Sequence, residues 1–109
     1  MTVPTHITFR GTTPSLAMEA TAYRWIDRLA HQFGRIHDCT VVVEVPHRRG
    51  RDIHVRVELG VPGRRITAGH DAADPYVALG DAFRAVRRQL GEQAALLRGD
   101  VKHHAAAAG

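Results

Sequence analysis

A chain of 109 residues, 44% hydrophobic and 24% charged, holds material for one modest core and not for two. No apolar run approaches the roughly 18 residues of a membrane helix, the opening MTVPTHITFR carries no apolar signal segment, and a single cysteine, Cys39, rules out an internal disulfide, so a cytoplasmic protein with a buried thiol is expected. The formal charge is +4 and the sequence pI about 10.2, with Lys102 the only lysine among 15 basic side chains; arginine pairs with phosphate in two-point geometry and stacks on bases, which fits a polyanionic partner, although +4 is also an ordinary solubility charge.

In chain order, Ile7 and Phe9 alternate with His6, Thr8 and Arg10 and predict a short half-buried strand over 6–10. Thr13-Pro14 reads as a cap followed by a proline, so a helix is expected from near Pro14 to Phe33, closed by Gly34. Its apolar stripe is Ala22, Ile26, Leu29 and Phe33, widened by Met18 and Trp25, while Arg24, Arg28, His31 and Arg35 line another side. The run CTVVVEV, 39–45, predicts a second strand with Cys39, Val41, Val43 and Val45 on one face, and Pro46 stops it. A loop with three arginines follows, Arg48, Arg49 and Arg51, with His47 and Gly50 among them. Ile53 to Leu59 alternates cleanly, with His54, Arg56 and Glu58 outward; Pro62-Gly63 suits a type II turn, and a further strand is expected over about 64–70.

Asp74-Pro75 opens the last helix with an acceptor at the cap and a residue that needs no donor at the first turn. Tyr76, Leu79, Gly80, Phe83, Val86, Leu90, Ala94 and Leu97 give its apolar stripe, and Arg84, Arg87 and Arg88 lie opposite, with Arg98 just beyond. Two readings of that basic face stand together: a binding surface, or arginines that are solvated or paired, as Arg88 could be with Glu92 four residues on. The tail RGDVKHHAAAAG shows no core pattern, so a domain over 1–98 and a flexible tail over 99–109 are expected. The order is therefore β-α-β-β-β-α, an α+β fold. A four-stranded mixed sheet with two helices packed on one face satisfies it, the first two strands parallel through a right-handed crossover and the rest antiparallel.

Chemistry-bearing motifs are sparse. Eight histidines are scattered without ligand spacing, and one cysteine makes no zinc motif, so no metal or cofactor is expected. No nucleophile elbow or phosphate-cradling glycine loop appears, and the acidic residues are dispersed, which argues against an enzyme. Trp25 and the other aromatics fall on stripes or strand inner faces and read as core. With no aromatic pair on the outer sheet face, any RNA binding should rest on backbone charge and shape.

The order of several segments carries a resemblance. ITFRGTTPS, CTVVVEVPHRRG, VRVELGVPGRRI and above all DPYVALGDAF followed by RRQL resemble the ribosome hibernation-promoting factor family, also called ribosome-associated translation inhibitors or sigma-54 modulation proteins. Asp74, Tyr76 and Ala78 match the family's Asp-x-Tyr-x-Ala start to the last helix, and Arg88, Gln89 and Leu90 its Arg-Gln-Leu-type stretch. The resemblance implies a non-enzymatic domain without cofactor. Such a domain seats on the small ribosomal subunit through 16S-type rRNA, covers tRNA and mRNA sites and silences translation under stress. It implies rRNA-contacting roles for Arg84, Arg87 and Arg88, more loosely for Arg48, Arg49 and Arg51, and for Arg28 on the first helix. No DNA or membrane partner is implied, and a monomer or weak dimer is expected.

Two departures from the family pattern bear on function. Gly91 to Ala95 stand where many members have a lysine-rich helix end, and the chain reads as a short form, for which no dimerisation or cold-shock domain is expected. The competing reading is a protein-interaction or homo-oligomerisation module that kept the fold and lost the ribosome. A third, a small enzyme or metal protein built on the histidines, would show in metal content.

Overall fold

Clean alternation makes a strand whose one face is fully apolar, and such a strand is most stable where both its edges are paired. The stretch that alternates best occupies that place. In the computed structural model, which describes residues 3–48 and 50–97, β3 (Ile53–Val61) lies inside a four-stranded sheet of order β1-β2-β3-β4. Its neighbours are β2 (Asp38–Glu44) and β4 (Arg64–Ala72), both antiparallel to it, and β1 (Thr5–Arg10) pairs parallel with β2. Two helices complete the chain, α1 (Leu16–Phe33) between β1 and β2 and α2 (Pro75–Leu97) after β4. The expected element order, strand directions and layering all hold.

Register aligns the inward residues in rows across the sheet. Ile7, Val41, Val57 and Ala68 form one row, and Thr5, Cys39, Leu59 and Ile66 the next. Cys39, Val41, Val55, Val57, Leu59 and Ile66 are wholly buried, each contributing on the order of 1.5–3 kcal/mol of apolar transfer for a side chain of valine or leucine size. Met18, Ala22, Ile26 and Leu29 of α1, and Leu79, Phe83, Val86 and Leu90 of α2, close the same core from one side.

Side-chain size sets how close each helix sits. Ala78, Ala82 and Ala85 are buried under α2, whose backbone comes near β3 and β4. Gln89 and Gln93 donate side-chain hydrogen bonds to the carbonyls of Thr67 and Pro62, tying α2 to the β3–β4 hairpin. α1 presents bulkier Met18, Ile26 and Leu29 and stands further off the sheet.

Three local expectations shift. Helix α1 is capped by Ser15, whose hydroxyl accepts from the Met18 N–H, so the Thr13-Pro14 pair lies before the cap and not at it. Strand β3 runs on to Val61, because Pro62-Gly63 makes a two-residue turn that keeps Val61 and Arg64 paired, with Gly63 at φ 78°, and β4 runs on to Ala72, which pairs with Ile53. Val45 falls just beyond β2 and is only half-buried. At the end of α1, Gly34 adopts φ 72° and its N–H donates to the Ala30 carbonyl, as the sequence predicts. Gly11 has a different reason to be glycine: at φ 78°, a Cβ there would collide with the Val45 carbonyl oxygen.

Candidate nucleic-acid interface

Charge is distributed unequally between the two faces of the domain. The face turned away from the helices carries Arg10, Arg56 and Arg65 against Asp38, Glu44, Glu58 and Asp71, and its best-placed groups neutralise one another. Arg65 donates through Nη2 to Asp38 at 2.9 Å and through Nε to Glu58 at 2.9 Å, and Thr67 adds a 3.4 Å contact to Glu58. The hydrogen bonds it donates to Asp38, and then to Glu58, hold the Arg65 guanidinium proton more tightly than in a free arginine. His54 Nδ1 lies 2.7 Å from Asp71 Oδ1. Arg65 and His54 are thus taken up by carboxylates, while Arg10 and Arg56 on this face are exposed and make no ion pair among the described residues.

The helix side differs. Asp74 caps α2 as predicted, its carboxylate accepting from the Tyr76 N–H at 2.8 Å, and this fixes the phase of the helix. With that phase Phe83 points inward and is wholly buried, while Arg84, Arg87 and Arg88 are exposed. Tyr76, expected in the apolar stripe, is 43% exposed and lines an open hollow with Phe9, Val43 and Ile53. Across the seam α1 brings Trp25, half-buried, whose ring stacks on Phe83 with centroids 5.6 Å apart and planes 2° from parallel. The Arg84 and Arg87 guanidinium carbons lie 5.5 and 5.8 Å from the centroid of the same Trp25 ring, within cation–π range.

Pairing leaves most of these arginines available. Arg84 Nη1 reaches Asp81 Oδ1 at 3.3 Å, a long contact one turn back. Among the described residues Arg87, Arg88 and Arg28 make no ion pair, and the Arg88–Glu92 pairing open to the sequence does not form. Arg28 is exposed and follows Trp25 by one helical turn, so it lies on the same side of α1. Arg24, also exposed, turns to the Thr21 hydroxyl at 3.2 Å.

The loop arginines sit elsewhere. Arg48 and Arg51 are exposed between β2 and β3, at the sheet end from which both helices start, whereas Arg49 lies outside the described residues, as do Arg98 and the tail over 99–109. Arg84 to Arg88 lie roughly 14–20 Å down the α2 axis from that end at 1.5 Å per residue. The structure therefore gathers Arg28, Arg84, Arg87 and Arg88 on one helical face and holds Arg48 and Arg51 apart from them.

Trp25 is the residue that sequence reasoning assigned to the core and the structure places at the edge of this face. Its position at the margin of the α1 stripe, between Arg24 and Arg28, is the signal available in the sequence. For metal chemistry, no group of three or more ligating side chains comes together among the described residues. Cys39 is buried, and that burial, with the Asp38 charge beside it, pushes its thiol up to about 12, which leaves it protonated at neutral pH. No described helix is long and apolar enough to cross a membrane.

Comparison with known proteins follows the same lines. The fold matches the N-terminal domain of Thermus thermophilus protein Y with a TM-score of 0.68 at 18% identity, covering 83% of this chain and 96% of the solved one. It matches a ribosomal subunit interface protein from Coxiella burnetii with a TM-score of 0.69 at 16% identity, covering 85% and 99%. At these identities the likeness is one of fold. No curated protein matches the chain. The family model described as sigma 54 modulation protein / S30EA ribosomal protein matches residues 5–97, from the first residue of β1 to the last of α2, and the chain belongs to that family.

Proposed function

We propose that this protein is a translation inhibitor that seats on the small ribosomal subunit through arginine–phosphate contacts with rRNA and excludes tRNA and mRNA by its bulk. Such a protein works in the cytoplasm, as a monomer or weak dimer, and needs neither cofactor nor chemistry. The observation that carries this reading is the clustering of exposed arginines on the helical face, two of them over one tryptophan ring. Arg28, Arg84, Arg87 and Arg88 are exposed on one helical face, three of them without an ion pair among the described residues, while Arg65 on the opposite face is consumed by Asp38 and Glu58. Family membership supports the ribosome as the polyanion, and a fold neighbour carries the description of ribosomal subunit interface protein. Arg48 and Arg51 supply a second, separate set of phosphate contacts at the end of the sheet, Arg49 is assigned the same role by its place in the sequence, and because phosphate contacts position without reading bases, binding depends on rRNA shape.

Sedimentation with purified small subunits tests this. The chain should pellet with subunits, be displaced by tRNA, and lose about tenfold or more in affinity over a fourfold rise in salt if several phosphates are neutralised. Absence from the pellet at low salt, with a stable homodimer in solution, would replace the reading by the homo-oligomerisation module.

A further inference from the structure

We infer that Trp25 is the platform of a discrete anion site in the seam between α1 and α2, where its ring holds the guanidinium groups of Arg84 and Arg87 together for a phosphate of one RNA strand. The inference rests on the ribosomal reading for the identity of the RNA, and on local geometry for the anion chemistry.

The platform is anchored. One side of Trp25 stacks on Phe83, which is wholly buried, at 2° from parallel, so the indole is fixed by the core and not by the surface. Both guanidinium carbons lie within 6 Å of its centroid. A guanidinium over an aromatic ring is attracted by the ring quadrupole and keeps its N–H edge free for two-point contact with a phosphate. Ordering long side chains before the ligand arrives lowers the entropy lost on binding.

The charges are out of balance. Two guanidinium groups share one ring, and their only carboxylate contact among the described residues is the 3.3 Å approach of Asp81 to Arg84. Two like charges within 6 Å of one centroid repel, and a phosphate shared by them relieves that repulsion. Arg28, one turn along α1 on the same side, extends the positive field of the seam.

Space is also provided. Gly80 is buried one turn before Arg84, and a Cβ there would meet Arg84 Nη1 at 3.0 Å. A glycine at that position leaves room for Arg84 to fold back over Trp25.

Trp25 is the only tryptophan in the chain, so its fluorescence reports directly on this site. The experiment titrates the full chain with inorganic polyphosphate and, separately, with small ribosomal subunits. Polyphosphate should shift Trp25 fluorescence saturably and reversibly with salt, and the Arg84→Ala/Arg87→Ala double variant should abolish the shift. Trp25→Leu, which keeps bulk over Phe83 without the π face, should weaken subunit binding about five- to tenfold with an unchanged salt slope, because both arginines remain, while Trp25→Phe restores most of the affinity. A merely structural role would not spare the slope. Subunit binding with silent Trp25 fluorescence and a Trp25→Leu variant within twofold of wild type would overturn the inference and leave the ribosomal reading standing. A saturable polyphosphate response without subunit binding would do the reverse.

Discussion

Trp25 and Phe83 stack with ring centroids 5.6 Å apart and planes 2° from parallel, and this pair joins the buried core to the charged surface. Phe83 belongs wholly to the core and Trp25 only half, so what the core does to Phe83 is felt at the arginines beside Trp25.

The first prediction concerns that joint. Phe83→Ala opens a cavity under the Trp25 ring and should destabilise the domain by about 3–5 kcal/mol, the usual range for a buried phenylalanine. Urea unfolding followed by the single tryptophan measures it. A loss below about 1 kcal/mol would mean that the two helices close over the gap without strain.

Gly80 separates stability from binding. Glycine inside a helix costs roughly 0.5–1 kcal/mol relative to alanine, and the nearest obstacle to a Cβ is the mobile end of Arg84 at 3.0 Å. Gly80→Ala should therefore raise the melting temperature while shifting the Arg84 guanidinium slightly over Trp25 and weakening polyanion binding by no more than a few-fold. Thermal melts and tryptophan-monitored titration check the two halves independently.

Cys39 predicts an alkaline limit. Its thiol is pushed from an ordinary value of 9.0 up to about 12 in the fold, chiefly by burial and then by the Asp38 charge. A raised folded pKa contributes stability that is fully present below pH 9 and is lost as pH climbs towards 12, because the unfolded chain ionises first. The loss approaches about 1.4 kcal/mol per pH unit within that window. Chemical unfolding of the wild type and Cys39→Ala should show curves that converge as pH rises above 9. The native thiol should also resist a thiol reagent at neutral pH and react at a rate set by opening of the sheet.

Much of this was legible in the sequence because it rests on local rules. The alternation of Ile53 to Leu59 fixed β3 and its inner face, Asp74-Pro75 fixed the start and phase of α2, and Gly34 marked the end of α1, each by backbone chemistry confined to a few residues. The β1–β2 crossover followed from handedness alone. The cap of α1 was harder, because Thr13 and Ser15 both offer a hydroxyl and only the geometry of the turn chooses Ser15. What the sequence could not carry is tertiary. That Arg65 finds Asp38 twenty-seven residues away depends on the register of β2 to β4. The same holds for Trp25, a core residue by its stripe but an edge residue once α2 lies beside it.

The measurement that bears most directly on the account is the affinity for small ribosomal subunits as a function of salt, for wild type, for Arg84→Ala/Arg87→Ala/Arg88→Ala, and for Arg65→Ala as a control on the opposite face. Log K should fall linearly with log salt, with a slope shallower by about 1.4–1.8 in the triple variant, two phosphates at roughly 0.7–0.9 each because Arg84 and Arg87 share one, and the Arg65 variant should follow wild type. A triple variant with the affinity and slope of wild type would contradict the account, as would wild-type binding indifferent to salt.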